Sequence, residues 1–204
     1  MSRRLFVALV PPPEVRTEAK RAGEHLRRAL PQLQARFADP DAAHLTLAFL
    51  GQVEEASVPR VTRAVAGVAR TSRRFVARTS GLGAFPNARR PSVLWIGLSD
   101  DADGALERLQ QGLAEALGGA AGSPDRQRFV PHLTLARVKT LRGVDRAQVD
   151  DALAGFEPAA ATWPVTAMVL FESELQQGGA RHTPLLTAPL GQPGPRGADA
   201  DRER

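Results

Sequence analysis

Two five-residue frames in this chain are identical. His44–Ala48 and His132–Ala136 both read HLTLA, and together they hold two of the four histidines in the sequence. Histidine is the side chain whose ordinary pKa lies nearest neutrality, so two imidazoles on opposite sides of a bound group can take and give a proton in one reaction. A threonine two residues on adds a hydroxyl that can donate to the oxygens of an anion held between them. This division of labour suits in-line displacement at phosphorus, where entering water and leaving oxygen lie on opposite sides.

Each frame reads as a strand. Alternate side chains of a strand share a face, so His44 and Thr46 point one way while Leu45 and Leu47 point the other, and His132 and Thr134 separate from Leu133 and Leu135 in the same manner. A lone HxT strand is usually structural. A repeat kept only for packing would preserve the leucines and has no reason to keep both histidine and threonine, so the pair is expected to line a wet cleft. A metal site would need a third ligand near the two histidines. His182 is the remaining candidate, and neither HxxxH nor a carboxylate cluster accompanies either frame.

The elements that must carry these frames follow from apolar spacing. Leu5–Val10 reads as a buried strand stopped by Pro11–Pro13, although the basic and apolar start of the chain faintly resembles a signal peptide. Val15, Ala19, Ala22, Leu26 and Leu30 mark a helix limited by Pro31. Leu45–Gly51 is a strand ended by glycine, Val58 to Val68 a second helix, Arg74–Gly81 and Val93–Leu98 strands, and Leu106 to Leu117 a third helix. After a glycine- and charge-rich loop come the strand Val130–Val138, a short helix over Val144–Leu153, and strands over Val165–Phe171 and His182–Pro189 joined near Gly178 and Gly179. A tail from Gly191 to Arg204 lacks apolar periodicity and is expected to be disordered. The order implies α/β or α+β layers. Neither a Walker loop nor GxGxxG follows a strand.

Composition limits the setting. The 204 residues are 43% hydrophobic and 24% charged, which suits a single compact domain. No apolar run is long enough to span a bilayer. With no cysteine, disulfides and thiolate metal sites are excluded, which fits a cytoplasmic setting. The net charge is +5, and Lys20 and Lys139 are the only lysines. Arginine suits bidentate contact with phosphate, though biased coding explains such a replacement equally well.

HLTLAFLG (His44–Gly51) with HLTLARV (His132–Val138) resembles the paired HxTx motifs of the 2H phosphoesterases, in particular the RNA 2′,3′-cyclic phosphodiesterase branch, also called LigT-like or 2′-5′ RNA ligase. The resemblance runs over roughly residues 3–190, including the LFVAL opening and the turn before VLWIGL. It implies an α+β fold over residues 1–190: two pseudo-symmetric antiparallel sheets forming a central cleft, with helices packed outside. It also implies opening of a ribose 2′,3′-cyclic phosphate by water to a 2′-phosphate, without metal or organic cofactor, by a monomer acting on RNA ends or small nucleotides. Some members run the reverse 2′-5′ ligation. The resemblance makes His44 the proton donor and His132 the acceptor; the residues themselves do not order them, because the frames are identical.

Supporting residues are expected around the frames. Arg137 matches an arginine usual after the second motif, although parity starts it on the face opposite Thr134. Phe49 and Phe129 can stack on a base, yet parity assigns Phe49 to the core. Arg89 and Arg90 in the FPNARRP turn are placed to guide RNA, and His182 stands where the branch commonly has a tyrosine. His25 is expected on a solvated helix face. The competing readings are a phosphodiesterase for another cyclic phosphate, such as an ADP-ribose cyclic phosphate or a cyclic nucleotide, and a non-catalytic module gripping RNA ends.

Overall fold

A computed structural model describes residues 1–102, 104–118, 129–176 and 179–191. Nine strands and four helices alternate along them: β1 (Ser2–Leu9), α1 (Pro13–Ala29), β2 (Gln34–Phe37), β3 (Leu45–Glu54), α2 (Val58–Thr71), β4 (Phe75–Phe85), β5 (Val93–Asp100), α3 (Ala105–Leu117), β6 (His132–Thr140), α4 (Arg146–Ala154), β7 (Thr162–Val165), β8 (Ala167–Gln176) and β9 (Gly179–Pro189). The strands form two antiparallel sheets, of order β3-β1-β8-β9 and β2-β6-β5-β4-β7. One HLTLA frame lies in each sheet. This is the expected α+β, two-sheet architecture.

Helix assignment rests on stripes that the packing confirms. In α1, Val15, Ala19, Ala22 and Leu26 are buried at helical spacing, Pro13 occupies the first turn, and the Leu30 N–H closes the end on the Leu26 carbonyl. Helix α3 buries Leu106, Leu109, Leu113 and Leu117, while the Asp100 carboxylate accepts from the N–H groups of Ala102, Gly104, Ala105 and Leu106 at its start. Helix α4 begins at Arg146 because Asp145 and Gln148 form a reciprocal capping box.

Helices and sheets are interleaved across the two lobes. Helix α1 follows a strand of the first sheet but packs on β4, β6 and β7 of the second; α3 follows a strand of the second and packs on β3 of the first. A continuous apolar core results, with Leu5, Leu9, Leu45, Leu94, Ile96, Leu133, Met168 and Leu170 among its fully buried side chains. Burying each such side chain contributes about 1.5–3 kcal/mol.

Several expected boundaries differ. Gly51 does not end β3; it takes φ +66 and the strand runs on to Glu54. Strand β4 continues past Gly81 to Phe85, and β7 and β8 are separate strands instead of one beginning at Val165. The short strand β2 was not expected at all. The loop at 119–128 and the tail at 192–204 lie outside the described residues. Gly191, at the expected start of that tail, is fixed: its N–H donates to the carbonyls of Ala69 and Ser72 at the end of α2. No helix among the described residues is long and apolar enough to cross a membrane.

Candidate active site

Leu45 and Leu133, and Leu47 and Leu135, are buried behind their strands, while His44, Thr46, His132 and Thr134 all line one cleft of about 640 Å³ between the sheets. Strand parity therefore places both histidine–threonine faces as expected. Beyond the threonines, however, parity breaks in both frames. Thr46 pairs with Ala8 but Ala48 with Val7, and Thr134 pairs with Trp95 but Ala136 with Leu94. The extra residue is Leu47 in one frame and Leu135 in the other, so each motif carries a β-bulge at its fourth position.

The bulges re-phase the strands. Phe49 pairs with Phe6, two residues from Ala8, and so returns to the face of Thr46; Arg137 pairs with Val93, two residues from Trp95, and returns to the face of Thr134. Both line the cleft. The core position expected for Phe49 is thus corrected: the residue is 50% exposed, and the Arg4 guanidinium lies over its ring at 4.9 Å from the centroid. Phe49 and Arg137 occupy equivalent positions on opposite walls, where the otherwise identical frames become chemically different.

The two imidazoles are held alike. His44 Nδ1 donates to the Ala42 carbonyl at 3.0 Å, and His132 Nδ1 donates to the Val130 carbonyl at 2.8 Å. A carbonyl can only accept, so each Nδ1 carries a proton, and in the neutral imidazole each Nε2 is the unprotonated nitrogen. Aromatic rings pack against both. Phe6 lies 5.1 Å from His44 and Phe85 4.9 Å from His132, between ring centroids. Burial pushes His44 below the ordinary histidine value; the Ala42 carbonyl opposes this and the Arg137 charge adds to it. His132 is lowered likewise, by burial first, against the Val130 carbonyl, and further by Arg137 and His44.

Other expected site residues divide. His182 lines the cleft beside His44. Phe129 does not line it and packs against the core. Arg89 and Arg90 are exposed in the turn between β4 and β5, where their N–H groups donate to Asn87 Oδ1, and they too are outside the cleft lining. His25 is not simply solvated: its Nε2 bonds to the Ala152 carbonyl on α4.

Two cleft arginines were not anticipated. Arg4 shares the face of Phe6 on β1, so alternation in RLFVAL was a usable signal. Arg36 sits on β2 directly opposite Arg137, on a strand of four residues that is too short for a periodic signal. Arg4, Arg36 and Arg137 give the cleft a cationic lining suited to an anion bearing several oxygens.

Residues 11–177 match the model of the 2′-5′ RNA ligase superfamily. A Thermus thermophilus protein named RNA 2′,3′-cyclic phosphodiesterase is 36% identical over 187 residues, covering 89% of this chain and 87% of that protein. A crystal structure of a Thermus thermophilus protein aligns with a TM-score of 0.76 at 30% identity, over 93% of this chain and 99% of that one. The structure of E. coli LigT complexed with 3′-AMP aligns at 0.72 and 26% identity, over 94% and 100%. Two further curated relatives carrying the phosphodiesterase name are matched in part, this chain spanning 56% of the length of one and 48% of the other.

Proposed function

The chain belongs to the 2′-5′ RNA ligase superfamily, and from that membership we propose that it hydrolyses RNA 2′,3′-cyclic phosphate ends to 2′-phosphates. The observation that carries this reading is the matched pair of imidazoles, each with Nδ1 tied to a carbonyl two residues back and Nε2 without a hydrogen bond among the described residues, in one arginine-lined cleft.

In the proposed reaction, water attacks phosphorus while His132 Nε2 accepts its proton. The bond to the ribose 3′-oxygen breaks, and His44 Nε2 donates a proton to that oxygen. The products are a 2′-phosphate and a 3′-hydroxyl, so one water is consumed and the proton count closes. Thr46 and Thr134 donate to the non-bridging oxygens, and Arg137 balances the charge that grows on them. The asymmetry at the bulges supports this ordering of the two histidines. A base resting against the exposed part of Phe49 that Arg4 does not cover keeps the ribose, and hence its 3′-oxygen, on the His44 wall; water then enters from the His132 side, in line with the leaving oxygen.

The working unit is read as residues 1–190, acting in the cytoplasm as a monomer, since both histidines come from one chain. The reaction described calls on no metal or organic cofactor, and the reverse direction would join RNA ends through 2′-5′ bonds. The test is product analysis on an oligoribonucleotide ending in a 2′,3′-cyclic phosphate, with and without excess chelator. A 2′-phosphate product that persists in chelator is expected, and His44→Ala and His132→Ala should each lower turnover by about 10²–10⁴-fold. A 3′-phosphate product would reverse the regiochemistry. Turnover that survives both substitutions would remove the acid–base reading.

A further inference from the structure

The imidazole of His182 is the cleft's third, and the reaction above leaves it without a task. It reaches the site from the edge strand β9, opposite Ser173 on β8. Serine is small enough for a neighbouring ring to lean across it. The His182 ring stands edge-on to Phe6, centroids 4.9 Å apart at 76°, and edge-on to His44, 5.3 Å apart at 83°; Phe171 lies 6.4 Å away. His44 therefore sits in a slot with Phe6 on one side and His182 on another.

His182 is poorly placed to serve a substrate through Nδ1. That atom is buried and has no hydrogen-bond partner among the described residues. Leaving a ring nitrogen unpaired in a protein interior costs free energy, and a doubly protonated ring would bury an N–H with no acceptor. Burial, the facing His44 and Arg4 all hold its pKa below the ordinary value. The groups that bear on this slot are Arg4 on β1, Arg137 and His132 on β6, and the two imidazoles themselves. At His132 the ring at the corresponding edge-on distance is Phe85, which cannot titrate.

We infer that His182 is a positioning residue for His44: its ring closes the slot that fixes the His44 imidazole and keeps it from water. What matters in this role is the shape of an aromatic ring. Its nitrogens are dispensable, and an apolar ring would relieve the unpaired Nδ1. The proposal rests on the acid–base reading of His44, so its test includes a measurement that needs no turnover.

Three full-length proteins are compared, wild type, His182→Ala and His182→Phe, with His182→Leu as a second ring-free variant should the alanine protein fold poorly. Turnover of the cyclic-phosphate oligonucleotide is measured alongside NMR titration of the His44 ring. With alanine, kcat should fall about tenfold through misplacement of His44, while KM stays within about threefold. The His44 titration should move up toward the ordinary histidine value, because one of the rings that bury it is gone. Phenylalanine should restore kcat and the His44 titration, with a Tm no lower than wild type. A rise in KM at unchanged kcat would make His182 a substrate contact instead. Failure of phenylalanine to rescue would mean that its nitrogens are needed, and an unmoved His44 titration in the alanine protein would dismiss the slot. If wild type itself shows no turnover, the functional reading fails while the titration still decides the slot.

Discussion

At the scale of single residues, the proposed reaction asks two identical side chains to do opposite things. Their Nδ1 atoms are fixed in the same way, so their difference must come from what surrounds Nε2. Burial and the Arg137 charge lower both imidazoles from the ordinary value of 6.5. The pH profile of kcat/KM follows from the signs. In the proposed reaction His132 works without its proton, so activity should be lost as pH falls through the lower apparent pKa. His44 works there with its proton, so activity should be lost as pH rises through the upper one. Those two values belong to the coupled pair, and both lie below 6.5, so the maximum of kcat/KM should fall on the acid side of that value. Replacing Arg137 by glutamine removes a charge that depresses both groups, and both limbs should move up. In the proposed reaction a donor to the growing phosphate charge is lost as well, so the rate should drop about 10²–10³-fold. A maximum well above the ordinary histidine value, or limbs that ignore Arg137→Gln, would contradict this account.

At the scale of elements, the aim of the site is set by two bulges and one close backbone approach. Alternation in HLTLA was enough to sort His44, Thr46, His132 and Thr134 from the leucines behind them. It failed one residue later, because Leu47 and Leu135 each add a residue that their partner strands do not match. Leucine carries no mark of a bulge, so Phe49 was misassigned to the core and the route by which Arg137 reaches the cleft stayed hidden. Strand β2 was illegible for a different reason: four residues on a sheet edge are too few to show a period. Apolar Phe129, beside a motif strand, had equal chemical claims on cleft and core, and packing decided. Gly83 is the close approach. It pairs with Trp95 across β4 and β5, and a Cβ there would strike the Trp95 ring, whose centroid lies 6.0 Å from that of His132. Gly83→Ala should therefore cost about 1–3 kcal/mol in stability through overpacking and lower kcat by displacing the ring beside His132. Gly67 on α2 is the control, since a Cβ there meets nothing within 4 Å. Gly67→Ala should leave kcat unchanged and raise stability by up to about 1 kcal/mol. Equal effects from the two substitutions, read by urea denaturation and steady-state kinetics, would refute the role given to Gly83.

For the whole molecule, holding three imidazoles between interleaved lobes couples the chemistry to stability. His44, His132 and His182 are all lowered from 6.5, with burial the first cause in each. An unfolded chain has their ordinary values, so on acidification it binds protons before the folded chain does. Stability is thus fully present above about pH 6.5 and falls as pH drops through that value toward the folded ones. The carboxylates act lower. Glu18, buried and bonded to Arg21 and to the Ala159 N–H, and Asp100, which caps α3, are both lowered from their ordinary 4.5 and 3.8. Their contribution is present above those values and is lost only as pH falls beneath them. Two separate windows result, and the upper one belongs to the site. The urea midpoint should therefore decrease between about pH 7.5 and about pH 5.5, above the range in which Glu18 and Asp100 act. Combining His44→Gln, His132→Gln and His182→Phe should flatten that decrease while leaving the decline below about pH 4.5 intact, because the fold keeps Glu18 and Asp100. A wild-type midpoint that holds level or rises across the upper window would mean that the cleft leaves its imidazoles as well solvated as the unfolded chain does, and the burial invoked to tune the proposed acid and base would lose its support.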